Sequence, residues 1–296
     1  MTTTATRRAP APTPDVAPVV DLTEGATWYD DLRAARVVWK REIIRFGRNR
    51  VRILTSLAQP ILFLFVLGTG LAPVIKVPGG FDFRTFMFPG VICMTILFTA
   101  IFSAVSIVWD REFGFLREML VAPVRRGAIM VGKCAGGATV ATMQGIIMLV
   151  LAGLVHVPYS PVLFIALLGM MVLTATMLTA FGLFLAARIQ EIESFQVVMQ
   201  LFVLPMFFLA GAVFPIHRLP TWLGTLTRFD PLAYAVDAMR KTVFTYAHAP
   251  VSVRRNLDPG ITWGHWHLPL VFELGIVVLV AAALLGGAIA QFTRTE

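Results

Sequence analysis

Charge is absent from long stretches of this chain and crowded into short ones. Uncharged runs cover Ile53–Ala72, Thr85–Trp109, Cys134–Ala187, Ser194–Ile216 and Leu274–Thr293. A helix needs about 20 consecutive apolar residues to cross a bilayer core. Four runs fit one crossing each, whereas Cys134–Ala187, at 54 residues, is long enough for two. The stretch from His156 to Pro161, with prolines at 158 and 161, supplies the turn that divides it. The pattern predicts an all-α integral membrane protein with six transmembrane helices. Gln59–Pro60 lies inside the first, where a proline is tolerated if neighbouring groups rescue the freed carbonyl.

Ahead of the first run the pattern changes. Trp28, Leu32, Ala35, Trp39, Ile43 and Phe46 recur at steps of three and four, with Asp30, Asp31, Arg33, Arg36, Lys40, Arg41 and Arg45 around the rest of the turn. That is an amphipathic helix, expected over 27–48 and suited to the membrane interface with its basic face toward anionic headgroups. Residues 1–26, rich in Thr, Ala and Pro, lack the apolar content for a core and read as a disordered cytoplasmic tail. Two arginines with no apolar run behind them do not make a cleaved signal peptide. Residues 49–296 form the six-span domain.

Between the second and third spans lies a charged patch, Asp110 to Cys134, expected to sit in water. Phe113, Leu116 and Leu120 recur at helical steps, with Phe115 and Met119 one position off, and Pro123 stops the helix. An amphipathic helix in an aqueous loop lies on the membrane or in a partner's groove; a solvated connector is the plainer alternative. Charge bias sets the orientation. With both termini inside, 17 Lys and Arg lie on the cytoplasmic side and 8 outside, six of those in the long last loop. The expected location is the plasma membrane, with cytoplasmic termini.

The run Glu112–Phe113–Gly114, then Leu116, Leu120, Val121, Pro123, Arg126 and Gly132–Lys133, resembles the first cytoplasmic loop of ABC type-2 exporter permeases. That family includes the daunorubicin-resistance-type drug permeases and permeases for lipo-oligosaccharide and polysaccharide export. The resemblance implies an ATPase-coupling segment carried by Glu112, Phe113, Leu116, Met119, Leu120, Pro123, Arg125 and Arg126. A second stretch, Phe229 to Arg240, resembles the family's Asn-Pro-Leu-x-Tyr…Arg signature, with Asp230 where Asn is commoner. It implies short re-entrant helices before the last span, capping the outer end of the pathway, with Phe214, Pro215, Pro231, Tyr234, Asp237 and Arg240 as cap residues. Asp237 and Arg240, at i and i+3, could pair. The implied partners are a soluble ATPase subunit that carries ATP and Mg, a second permease copy or homologue, and membrane lipid. This chain itself would bind no cofactor. The implied activity is outward movement of a drug-like compound, lipid or glycolipid, with polysaccharide or lipo-oligosaccharide export as the alternative and multidrug efflux or antibiotic resistance as the setting.

Composition narrows the field further. Of 296 residues, 57% are hydrophobic and 14% charged, with a mean hydropathy of +0.77, which excludes an ordinary soluble domain. The net charge of +8 comes with no aromatic-interleaved basic groove, so nucleic acid is not an expected partner. Two cysteines, Cys93 and Cys134, make no disulfide framework. Gly127 to Lys133 reads G-x-x-x-x-G-K, yet Cys134 stands where a P-loop needs Ser or Thr, and no strand precedes it. His156, His217, His248, His265 and His267 are scattered toward loops, without metal spacing or a paired catalytic motif. A membrane-embedded lipid-modifying enzyme is the reading this disfavours, and a passive channel or structural scaffold is a third option. Gln59, Gln144, Gln196 and Gln200 lie inside the spans, where such groups line a pathway or bond helix to helix. Glu273 heads the last span.

Overall fold

The computed structural model describes residues 28–73, 82–114, 124–215, 220–251, 253–254, 260–263 and 266–295. The expected tail at 1–26, most of the loop after the first span, and the patch residues Leu116, Met119, Leu120 and Pro123 lie outside the described residues.

Helix α1 (Trp28–Arg48) is followed by α2 (Arg50–Leu62), a π-helical turn (Phe63–Leu67) and α3 (Gly68–Leu71). Then come α4 (Phe83–Glu112), α5 (Arg126–Val150), α6 (Pro161–Ala186), α7 (Ile192–Leu209), α8 (Thr221–Phe229), α9 (Pro231–Tyr246) and α10 (Leu270–Thr295). Among the described residues six stretches are long and apolar enough to cross a membrane: Ile53–Leu71, Phe83–Glu112, Arg126–Val155, Pro161–Ala186, Ile192–Leu209 and Leu270–Arg294. The fold is all-α, and among the described residues the one exception is a two-residue antiparallel ribbon that pairs β1 (Thr262–Trp263) with β2 (Trp266–His267).

Helix α4 is the axis of the bundle. It packs against α5 and α6 and also touches α7 and α9, and it is buried along most of its length. Small residues set these approaches. A Cβ on Gly182 would meet Ala104 Cβ at 2.8 Å, and one on Gly90 would collide with the Ala212 carbonyl oxygen. This is the packing that spans use where lipid removes the hydrophobic drive between helices.

Several boundaries differ from the sequence pattern. The turn after the third span falls where expected, with His156 in the left-handed region at φ 59° and its ring 3.0 Å from Asp82. The fifth span stops at Leu209, seven residues before the apolar run does, because the chain turns through Gly211 at φ 66°. The long last loop carries two helices, α8 and α9.

Candidate coupling platform and transport cavity

Call the end of the bundle with α1 and the C-terminus the terminal end, and the end with α8 and α9 the distal end. At the terminal end, α1 lies against α5. Gly132 and Gly136, one helical turn apart, form its seat: a Cβ on Gly132 would stand 2.6 Å from the Ala35 carbonyl oxygen, and one on Gly136 2.7 Å from Glu42 Cβ. The buried face of α1 is therefore Val38 and Glu42, not the large apolar residues, and Trp28 and Leu32 are exposed. Trp39 donates its indole N–H to Thr139 at 3.0 Å.

Packing α1 this way drives Glu42 into the bundle, where it meets charges from the two ends of the patch. Lys133, 1% exposed, donates to Asp110 at 2.6 Å, Ser106 at 3.1 Å and Glu42 at 3.3 Å. Arg41 closes the cluster on Asp110 at 2.7 Å and Glu42 at 3.5 Å. The expectation that the whole patch sits in water is thus corrected. Its outermost charges, Asp110 and Lys133, are buried in helices and neutralise each other, since a buried ion is tolerated only when paired and hydrogen-bonded.

Arg111, Glu112, Arg125 and Arg126 tie the patch to its neighbours. Arg111 donates to the carbonyls of Ala186 and Ile189 at 3.3 and 2.8 Å, satisfying the open end of α6. The Glu112 carboxylate accepts the Ile192 amide at 3.2 Å, at the start of α7. Phe113 ends α4 and is 67% exposed, and Gly114 turns the chain away at φ 80°, a conformation that favours glycine. On the far side Arg125 bonds Asp31 of α1 through its amide at 3.1 Å and its side chain at 3.5 Å. Arg126 donates to the Thr293 carbonyl at 3.2 Å, reaching α10.

A cavity of about 410 Å³ opens between the end of α1 and the first, second, third and fifth spans. Gln59, Gln144 and Gln196 line it together, with Asn49, Thr55, Ser56 and Thr99 and the aromatic rings of Phe46, Phe98, Phe102 and Trp109. Gln144 is fully buried and joins three helices: Thr99 donates to its carbonyl, and its amide donates to Ser56. Gln59 and Gln196 are exposed, and Gln200 is exposed without lining the cavity.

At the distal end α9 is buried against α4, α6 and α10. Pro231 opens it and Asp230 caps it, accepting the Leu232 amide at 2.9 Å. Burial pushes the Asp230 carboxyl up to about 8, against that amide bond, which lowers it. Phe214 stacks on Phe208, and Pro215 is buried. Tyr234 donates to the Arg228 carbonyl at 2.7 Å and accepts the Trp263 N–H at 3.1 Å. The structure gives Asp237 a cation one residue beyond the expected one: Lys241, at 3.0 Å, while the Ile261 amide donates at 2.9 Å. Arg240 reaches the Gly211 carbonyl at 2.7 Å and lies 4.2 Å over the Phe86 ring. Lys241 also bonds Glu273, fully buried at the head of α10. Among the described residues no group of three or more His, Cys, Asp or Glu could hold a metal, and Cys93 and Cys134 are buried and free.

Six helices long and apolar enough to cross a membrane, gathered about the buried α4, define a multi-pass membrane protein. The family model for the ABC-2 type transporter matches residues 33–244, and the chain belongs to that family. Its relatives include nodulation protein J of Rhizobium leguminosarum bv. trifolii, 30% identical over 69% of this chain and 78% of the relative. They also include ycf38, a proposed transport permease of Porphyra purpurea, 25% identical over 86% of this chain and 88% of the relative.

Two features escaped the sequence reading. The Gly132–Gly136 seat carries a visible signal, the G-x-x-x-G spacing. The partners of Lys133 carry none, because Glu42 lies 91 positions away.

Proposed function

We propose that the chain is the permease subunit of an ATP-driven exporter, with its termini in the cytoplasm of a plasma-membrane protein. A separate soluble ATPase docks on the segment between Asp110 and Lys133, and ATP and Mg bind to that subunit. The observation that carries this reading is the anchoring of that segment. Asp110, Arg111 and Glu112 before it and Arg125, Arg126 and Lys133 after it tie its two roots to α1, α5, the α6–α7 turn and α10. A push on the segment would reach these elements at once, as coupling to an engine outside the membrane requires. Leu116, Met119 and Leu120 supply its apolar face, each contributing about 1.5–3 kcal/mol if fully buried in a partner.

The cargo is a hydrophobic or amphipathic molecule. The cavity that Gln59, Gln144 and Gln196 share with four aromatic rings supports this, because amides serve a polar group and rings an apolar one. The same lining favours polysaccharide or lipo-oligosaccharide export as the second reading, since sugars offer hydroxyls to amides and ring faces to aromatics. Gln59, Gln196 and Gln200, exposed on the first and fifth spans, mark the face where a second permease would complete the pathway. The outer cap is α8 with α9. The test is the double change Leu116→Asp, Leu120→Asp. It is expected to abolish ATPase co-purification and export while the permease still inserts; normal binding and transport in that variant would overturn the reading.

A further inference from the structure

A second, wider groove lies at the terminal end. It encloses about 930 Å³ between α1 and the end of α4, lined by Val37, Lys40, Arg41, Ile44, Arg45, Arg48, Trp109, Asp110 and Phe113. The six α1 residues follow at steps of three, one, three, one and three, a single stripe along one helix face. Three observations say what belongs there.

The first is charge. Four cations line the groove against one acid, Asp110, which Lys133 and Arg41 already neutralise. Lys40, Arg45 and Arg48 make no ion pair with any described residue. The second is apolar exposure among those cations: Val37 is 62% exposed, Ile44 44% and Phe113 67%. Water suits the cations and not these side chains, a lipid tail suits the side chains and not the cations, and an anionic amphiphile suits both. The third is depth. Arg48 lies five residues before the first span begins at Ile53, and Trp109 belongs to the last turn of the second. Cationic and aromatic side chains at span mouths sit at the headgroup level. Arg45 lies 4.7 Å over the Trp109 ring, so the groove wall is held in shape by its own residues.

We propose that this groove is a seat for an anionic phospholipid of the surrounding bilayer, with the phosphate between Lys40, Arg45 and Arg48 and the acyl chains along Val37, Ile44 and Phe113. The seat ties α1 to the membrane on the side away from its glycine contact with α5. It rests on the six spans lying in a bilayer, and of the residues named for the seat Phe113 alone also belongs to the segment proposed to dock the ATPase.

The experiment uses the full chain purified in detergent, with its melting temperature followed during titration with phosphatidylglycerol, phosphatidylcholine of the same chains, or glycerol phosphate. Wild type is expected to be stabilised by phosphatidylglycerol at lower concentration than by phosphatidylcholine, and not by glycerol phosphate. Lys40→Gln with Arg48→Gln removes two exposed cations and no described ion pair. It is expected to weaken the phosphatidylglycerol response about fivefold for each cation, leave the phosphatidylcholine response unchanged, and keep ATPase co-purification. The control, Arg188→Gln with Arg294→Gln, makes the same change in net charge outside the groove and is expected to behave as wild type. Equal response of wild type to both lipids would overturn the assignment, as would an equal loss in the control. Loss of ATPase co-purification in the Lys40/Arg48 variant with the lipid preference intact would give the groove to the ATPase instead. Full stabilisation by glycerol phosphate would make it a free-phosphate site.

Discussion

The two ends of the bundle each bury a cluster of charge, and the clusters are built differently. At the terminal end two carboxylates, Glu42 and Asp110, meet two cations, Lys133 and Arg41, with Ser106 donated to as well. At the distal end two carboxylates, Asp237 and Glu273, converge on one ammonium, Lys241. One oxygen of each acid, Asp237 Oδ1 and Glu273 Oε2, has no hydrogen-bond donor among the described residues. The first cluster is balanced and joins three elements, so removing any member strands a charge. The second is over-supplied with acid, so removing one acid relieves it. Burial alone therefore does not rank these residues; the count of partners does.

The comparison breaks most visibly at Lys133. Lys133→Met leaves Glu42 and Asp110 buried with Arg41 alone, and the expected loss is about 3–5 kcal/mol. It would be read as a drop in melting temperature or failure of the purified chain to stay monodisperse, and a change under about 1 kcal/mol would contradict the balanced-cluster account. Next is the seat beneath the same cluster. Gly132→Ala puts a Cβ 2.6 Å from the Ala35 carbonyl, forcing α1 off α5 at an expected cost of about 1–3 kcal/mol. Protease susceptibility within α1 should rise in step.

At the distal end one expected effect is a slope with pH and the other is close to neutral. Asp230 has a folded value raised to about 8 from an ordinary 3.8, so between these values the folded protein binds more protons than the unfolded chain. Its contribution makes stability fall as pH rises through that window, by at most about 1.4 kcal/mol per pH unit. Asp230→Asn keeps a helix-capping side chain, cannot ionise, and should flatten that part of the melting-temperature profile. The smallest effect belongs to Glu273→Gln, within about 1 kcal/mol of wild type, because it removes one of the two acids that share Lys241 and keeps a hydrogen-bonding side chain in its place. A loss as large as that of Lys133→Met would erase the distinction between the ends.

The six spans were legible because length and absence of charge are local properties, and runs such as Leu274–Thr293 carry both. The turn at His156–Pro161 was legible for the same reason. Asp110 and Lys133 were misplaced because charge at the edge of an apolar run reads as the start of water, whereas their neutralising partners are remote in sequence. Which face of α1 packs on α5 was not legible either. Large apolar residues imply a buried face only where the neighbour offers room, and α5 offers two glycines, which admit close backbone contact rather than bulk. Gln144 shows the limit of composition most plainly: the same residue type lines the cavity at 59 and 196, joins helices at 144 and faces outward at 200.

The central claim is that a partner ATPase engages the terminal end, at the segment rooted by Asp110 and Lys133. Arg125, whose side chain is 68% exposed, stands on that segment, and Phe229, 82% exposed, stands at the opposite end. A photo-crosslinking side chain placed at each position in turn, in cells that make the whole exporter, compares the two directly. The account predicts a covalent product with a soluble ATPase subunit from position 125 and none from position 229. Capture of the ATPase from 229, or from neither position while export proceeds, would contradict it.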